Sequence, residues 1–142
     1  MGKTIARVAV AIAASAGLCV AASPAQADSA QVFAGSCSTG NFCLFENNDF
    51  NNGNTNHWRD IVHDDSDFRG NHWRDGNGYL TDDDMNDETS SIKNRAGCTV
   101  TLYKDPDYKG DSTPFANGKN DGYLANDNVE DNAATSARFD GC

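Results

Sequence analysis

The feature that most constrains the fold of this chain is an internal duplication. Each half contains two aromatic residues separated by four others, then a glycine-containing turn, and finally an acidic segment that ends in hydroxyl residues. The matched segments are 43–50 (CLFENNDF) with 101–108 (TLYKDPDY), 75–80 (DGNGYL) with 120–124 (NDGYL), and 86–91 (NDETSS) with 131–136 (DNAATS). The same order of features in both halves predicts two copies of one structural unit that share a core.

The duplicated unit has the composition of short strands joined by tight turns. Asp, Asn and Gly dominate the connections, and Asp and Asn suit turns because they bond to local backbone and tolerate left-handed conformations. Short apolar or aromatic runs recur between the turns, and no long helical periodicity follows the N-terminal segment. The pattern predicts an all-β domain over residues 37–142, a sandwich or barrel of two Greek keys that span about residues 41–97 and about residues 98–142.

The first half also contains a stretch that the second half lacks. Residues 56–60 (NHWRD) recur as residues 71–75, so a second, local duplication lengthens a loop or hairpin. Loops on a rigid scaffold often carry function. We therefore consider Trp58 and Trp73 as candidate partner-binding residues, with packing in the core as the commoner alternative for tryptophan.

The N-terminus carries the pattern of an export signal. Lys3 and Arg7 precede an apolar run and an Ala-Gln-Ala cleavage motif that ends at residue 27. We predict a cleaved signal peptide over residues 1–27 and an N-terminal extension over residues 28–36, which makes the protein secreted and free of the membrane after cleavage. All 21 acidic residues follow the signal, and the net charge of the whole chain is −10. Such a field repels nucleic acid and attracts cations.

The cysteines that follow the signal predict two disulfides, because an even number in an exported chain forms pairs in an oxidising compartment. Zinc binding by these thiols is the alternative, although no Cys-x-x-Cys pair is present. In a Greek key the fourth strand returns beside the first, which brings Cys98 next to Cys142 and leaves Cys37 to pair with Cys43. The chain-entropy model gives about 4 kcal/mol for the long loop and about 2.4 kcal/mol for the short one.

The acidic segments that end the two halves have the composition of calcium ligands. Both fit the pattern (N/D)(N/D)xx(S/T)S. Calcium takes about 6–8 oxygen ligands, which paired Asp/Asn side chains, a backbone carbonyl and a hydroxyl supply, and no soft ligand that would favour zinc or copper is present. A single hexapeptide of this kind is more often an Asx-rich turn. Two copies at equivalent positions of an acidic chain predict two calcium sites.

These residues resemble the βγ-crystallin family, in which each Greek key begins with an aromatic hairpin of the form Y-x-x-x-x-Y-x-G. Tyr103, Tyr108 and Gly110 fit this form, whereas Asn52 stands at the glycine position of the first half. The resemblance implies that each calcium site joins a loop of one half to a hairpin carbonyl of the other. The implied ligands are Asn86, Asp87, Glu88 and Ser90 with the carbonyl of Lys104, and Asp131, Asn132, Ala133 and Thr135 with the carbonyl of Glu46.

The opening of the domain, residues 37–46 (CSTGNFCLFE), is also similar to secreted proteins grouped with the Streptomyces metalloproteinase inhibitor. That resemblance implies inhibition of thermolysin-type zinc peptidases, but the characterised member inhibits through an extension of its second half, which is compact here. Three functions therefore remain open. They are a calcium-stabilised secreted structural or binding module, an inhibitor of extracellular metallopeptidases acting through the loop 54–77, and a secreted toxin or cell-wall or carbohydrate-binding protein.

We expect no catalytic activity from this sequence. It shows no serine–histidine arrangement in a strand-turn-helix context, no phosphate-binding glycine loop and no carboxylate pair with a buried pattern. His57, His63 and His72 stand in or near the inserted stretch, close to Asp60 and Asp64, and form a candidate zinc site. Because none of these residues has helical or Cys-x-x-Cys-like spacing, solvated polar positions are the simpler interpretation.

Overall fold

A computed structural model describes residues 36–142, so the predicted signal peptide and nearly all of the predicted extension lie outside the described residues. Within this range no helix is long and apolar enough to cross a membrane. Two short 3₁₀ turns, Pro106–Tyr108 and Leu124–Asn126, interrupt a chain of β-strands. The strands are β1 (Phe42–Phe45), β2 (Trp58–Ile61), β3 (His72–Arg74), β4 (Leu80–Asp84), β5 (Ser91–Asn94), β6 (Thr99–Asp105), β7 (Lys109–Phe115), β8 (Asn120–Asp121) and β9 (Ser136–Asp140).

The strands form two antiparallel sheets, with the orders β4-β3-β2-β1-β5-β8 and β7-β6-β9. In each half the last strand lies beside the first, because β1 pairs with β5 and β6 pairs with β9. Each half also lends a segment to the other sheet: β8 pairs with β5, and Asp65 forms a bridge to Ala137 in β9. The prediction of an all-β, Greek-key fold is confirmed.

The two halves are related residue by residue in a way that corrects one of the sequence matches. The backbone N–H of Phe68 donates to the carbonyl of Thr135 at 2.7 Å, as the N–H of Leu124 donates to the carbonyl of Ser90 at 3.0 Å. Phe68 and Leu124 are both fully buried, whereas residues 79–80 are exposed. The match of residues 75–80 with 120–124 is therefore wrong: the first segment is a similar turn at a different place, and Phe68 supplies the equivalent apolar side chain.

The inserted stretch is a regular part of the first sheet. β3 and β4 form a hairpin beyond β2, and the two NHWRD copies face each other, with Trp58 opposite Arg74. Trp73 has no exposed surface, and its indole N–H donates to Oε2 of Glu88 at 2.9 Å. The prediction that Trp73 binds a partner is wrong, because this side chain fills the core. Trp58 is half-buried and donates to the carbonyl of Asp75 at 3.0 Å.

The core lies between the two sheets and draws on both halves of the chain, which is the arrangement that the duplication predicts. The two disulfides are Cys37–Cys43 and Cys98–Cys142, as predicted from the Greek-key order of the strands. The largest core side chains are Trp73, Phe42, Phe68, Phe115, Leu44, Met85, Ile92, Leu102, Leu124, Val100 and Val129.

Candidate functional site

The aromatic hairpin of each half folds back on itself in the same way. The rings of Phe45 and Phe50 lie 5.9 Å apart, and those of Tyr103 and Tyr108 lie 6.0 Å apart, both edge to face. The chain reverses through consecutive residues in the left-handed region, which Asp tolerates better than most residues. These residues are Asp107 and Tyr108 in the second hairpin, with φ of 57° and 61°, and the longer run from Asp49 to Asn52 in the first, with φ between 40° and 66°.

The last serine of each acidic segment fastens the hairpin of its own half. Ser136 is fully buried; its Oγ accepts from the N–H of Tyr108 at 3.2 Å and donates to the carbonyl of Asp105 at 2.7 Å. The equivalent contacts join Ser91 to Phe50 at 3.0 Å and to Asn47 at 2.6 Å. Neither Ser91 nor Ser136 was among the site residues predicted from the sequence. A serine recurs at the last position of both hexapeptides, and this repetition is the sequence pattern that could have indicated the role.

The two acidic segments meet where the halves join. The N–H of Asp87 donates to the carbonyl of Ala134 at 3.1 Å, and the N–H of Asn132 donates to the carbonyl of Thr89 at 3.1 Å. Asp87 and Asn132 both adopt left-handed backbone conformations, with φ of 58° and 55°. Each loop therefore lies against the other in matching geometry, as two copies of one unit would.

The hydroxyl groups contact the loop of the opposite half. Thr135 Oγ1 donates to Oδ1 of Asp87 at 3.0 Å, and Ser90 Oγ donates to Oδ1 of Asn132 at 3.1 Å. The family resemblance implied ligand sets that group Ser90 with Asp87 and Thr135 with Asn132, whereas the hydrogen bonds join each hydroxyl to the loop of the opposite half. The backbone N–H groups of residues 90 and 135 bond to the first strand of their own half. The backbone of the preceding loop bonds to the other half.

Room for an ion is present beside the first of these contacts. Asn86, Asp87, Lys104 and Thr135 line one open hollow together with Arg69, Asp105 and Pro106, which brings the acidic loop of the first half next to the hairpin of the second. Oδ1 of Asn86 is buried without a hydrogen-bond partner, and so is Oδ1 of Asp131, the equivalent residue of the second loop. Buried oxygens rarely lack a partner, and a bound ion is one recognised way to satisfy them. The oxygen-only donor set fits calcium.

The two cationic side chains around this hollow, Arg69 and Lys104, each form a salt bridge with a carboxylate other than Asp87. No salt bridge of Asp87 forms within residues 36–142, and its Oδ2 accepts only the amide of Asn86 at 2.7 Å. The ammonium of Lys104 bonds to Oε2 of Glu130 at 2.9 Å, and this bond raises the pKa of Lys104. Glu88 directs its carboxylate to Trp73. Its equivalent in the second loop is an alanine, so the backbone carbonyl is what the two positions share.

A separate group of metal-ligating side chains lies at the edge of the first hairpin. One ligand atom each from Glu46, His57 and Asp83 lies within 4.8 Å of the others. Of the three histidines that the sequence offered as candidate zinc ligands, this group contains His57. Nδ1 of His63 faces the carbonyl of Asp64 at 3.0 Å, at an exposed position apart from this group.

Paired Greek keys, exchanged edge segments and two mirrored acidic loops define a βγ-crystallin domain. The structure is similar to three solved structures: one from a study of the evolution of the eye-lens βγ-crystallin domain fold (TM-score 0.57, 19% identity, 75% of this chain and 90% of that chain), a βγ-crystallin of Ciona intestinalis (0.53, 20%, 71% and 100%) and one from an archaeon (0.52, 18%, 72% and 100%). At these identities the likeness shows the fold.

The family follows from the sequence of the chain. Residues 30–114 match the model of Peptidase inhibitor family I36, so the chain belongs to this family, which includes the Streptomyces metalloproteinase inhibitor. No curated protein is significantly similar in sequence. Both the family and the fold are typically non-catalytic.

Proposed function

We propose that this protein is a secreted, non-catalytic, calcium-binding member of its family, with one Ca²⁺ at each junction between an acidic loop and the opposite half. The observation that carries the proposal is the pair of crossed contacts, Thr135 to Asp87 and Ser90 to Asn132. Each contact brings two side-chain oxygens together that a shared cation can hold in place of the hydrogen bond between them.

The donors at the two junctions are of the same kind. The first combines the carboxylate of Asp87 and the hydroxyl of Thr135 with Asn86 and the backbone of Lys104, which line one hollow. By analogy with the first junction, the second combines Asn132 and Ser90 with the carbonyl of Glu46. The first loop carries two carboxylates, Asp87 and Glu88, whereas the second carries one, Asp131, so we expect calcium to bind more tightly at the first.

Isothermal titration of the purified, oxidised protein with Ca²⁺ tests this proposal. We expect two sites, and we expect Asp87→Asn to weaken the tighter one by about tenfold or more, since the number of charged ligands tunes calcium affinity. Asp82→Asn is the matched control, because Asp82 is an exposed carboxylate outside both hexapeptides. A protein that gives no calcium heat, or an equal loss in both variants, would refute the proposal.

The family match favours a second function, the inhibition of extracellular metallopeptidases. The expected contact region, the loop 54–77, contains the short strands β2 and β3, and a turn held by hydrogen bonds stands at its end. Oδ1 of Asp75 accepts the N–H groups of Tyr79 and Asn77, both at 2.9 Å, and these bonds lower the pKa of Asp75. The adjoining Tyr79 and Leu80 are 73% and 57% exposed. A pre-organised turn that presents apolar side chains suits insertion into a cleft.

An assay against a thermolysin-like peptidase tests this second function. We expect stoichiometric inhibition by the native protein and its loss in the double variant Tyr79→Ser/Leu80→Ser. Tyr123→Ser is the control, because Tyr123 is an exposed apolar residue (48%) in the second half, outside the expected contact region. Absence of inhibition by the native protein would refute this function. Full inhibition by the double variant would show that this turn does not carry it.

A further inference from the structure

We propose that Glu46, His57 and Asp83 form a binding site for a divalent transition metal of the Zn²⁺ class, which uses the carboxylate of Glu46 and not the backbone carbonyl assigned to the second calcium site. Nδ1 of His57 lies 2.6 Å from Oε2 of Glu46 and 3.6 Å from Oδ2 of Asp83. One imidazole nitrogen and two carboxylate oxygens are typical zinc ligands, and three protein ligands leave a fourth position for water.

The ligands come from three different segments, each fixed by the sheet. Glu46 directly follows β1, His57 directly precedes β2, and Asp83 lies in β4 of the inserted hairpin. The N–H of His57 donates to the carbonyl of Arg74 at 2.7 Å, and its own carbonyl accepts from the N–H of Glu46 at 3.2 Å and from Nδ2 of Asn51 at 3.0 Å. Ligands on rigid elements hold a metal geometry better than ligands on loops.

The distances are close to those of a tetrahedral site. Ligands at about 2.0–2.2 Å from zinc stand about 3.3–3.5 Å from each other. The separation of His57 from Asp83, 3.6 Å, already meets this value. The separation of His57 from Glu46 is 2.6 Å and has to lengthen by less than about 1 Å, which a small rotation of a half-buried glutamate side chain provides.

The charge of the group favours a cation. The salt bridges of Glu46 and Asp83 in the described part of the chain both go to His57. A neutral imidazole leaves two carboxylates facing each other, and a divalent ion compensates both. The nitrogen donor gives this site a different metal preference from the calcium loops, because imidazole suits zinc, copper and nickel whereas calcium takes oxygen ligands.

The competing state is a protonated His57 that bridges the two carboxylates as an ion pair without any metal. Titration of the purified, oxidised protein with Zn²⁺ separates the two states. We expect one zinc ion per chain from this site, and we expect His57→Asn and Asp83→Asn each to weaken it by at least about tenfold, since loss of even an outer-shell partner costs about 10–100-fold. Asparagine tolerates the left-handed backbone of residue 57, where φ is 57°, so the first variant keeps the fold.

His63→Asn is the matched control, because it removes a histidine from the same stretch without touching the group. It should bind zinc as the native protein does. As a second readout, ¹⁵N NMR of the imidazoles should show zinc bound at Nδ1 of His57, with the proton on Nε2. A native protein that binds no zinc, or equal zinc affinity in the native, His57→Asn and His63→Asn proteins, would overturn the proposal. Calcium titration of His57→Asn should match the native protein, so failure of the zinc site is distinct from failure of the calcium sites.

Discussion

Ser136 offers the sharpest test of how the hairpins are held. Its buried hydroxyl bonds to both Tyr108 and Asp105, so Ser136→Ala leaves one backbone N–H and one carbonyl without a partner. Each lost bond is worth about 0.5–1.5 kcal/mol net, and an orphaned buried group about 1–3 kcal/mol. Because Tyr108 is half-buried and water reaches part of it, we expect the free energy of unfolding to fall by about 2 kcal/mol. For a domain of this size that is a decrease in Tm of about 8–15 °C.

Urea denaturation followed by far-UV circular dichroism measures this loss, together with a calorimetric Tm. Ser38→Ala is the control, since Ser38 is exposed and lies near the short disulfide, and it should change stability by less than about 0.5 kcal/mol. The slope of free energy against urea concentration should stay the same in both variants, which shows that the denatured state is unchanged. A loss in Ser136→Ala no larger than in Ser38→Ala would refute the role assigned to this hydroxyl.

Other predictions concern the disulfide, the core and one carboxylate. Replacing Cys98 and Cys142 by serine should lower the free energy of unfolding by about 4 kcal/mol, against about 2.4 kcal/mol for the shorter disulfide, as measured by urea denaturation; equal losses would contradict the loop-length argument. Trp73→Phe should cost about 2–3 kcal/mol, because it removes core volume and the bond to Glu88, and an unchanged urea midpoint would contradict this. Burial, and then a neighbouring carboxylate, raise the pKa of Asp127. Its ionised form therefore opposes folding above that pKa, so Asp127→Asn should raise the Tm at pH 7 by about 2–4 °C, with the difference vanishing below the ordinary carboxyl pKa; a pH-independent difference would contradict the linkage.

The parts of the fold that repeat were predictable from sequence. The hairpins around Tyr103 and Phe45 recur with the same spacing, and a repeated unit that must bury its apolar residues defines both Greek keys. The disulfide between Cys98 and Cys142 followed from the neighbouring first and last strands of one key. These inferences needed only local patterns and the topology that they imply.

Two features were beyond local patterns. Residues 75–80 resemble 120–124 because both are glycine turns followed by Tyr-Leu, yet burial selects Phe68 as the equivalent of Leu124. A turn motif specifies backbone conformation, but it does not determine which nearby side chain is buried in the core. The pairing of Thr135 with Asp87 depends on how two loops cross between halves, and no spacing within one hexapeptide encodes that contact.

The central claim is that each calcium site is shared between the two halves through a hydroxyl of one and an acidic loop of the other. A crystal structure of the oxidised protein grown with Ca²⁺ tests it most directly. We predict a cation that touches both Asp87 and Thr135, and a second cation that touches both Asn132 and Ser90. Crystals with no cation at either junction, or with Ser90 beside Asp87 around one ion, would contradict the account.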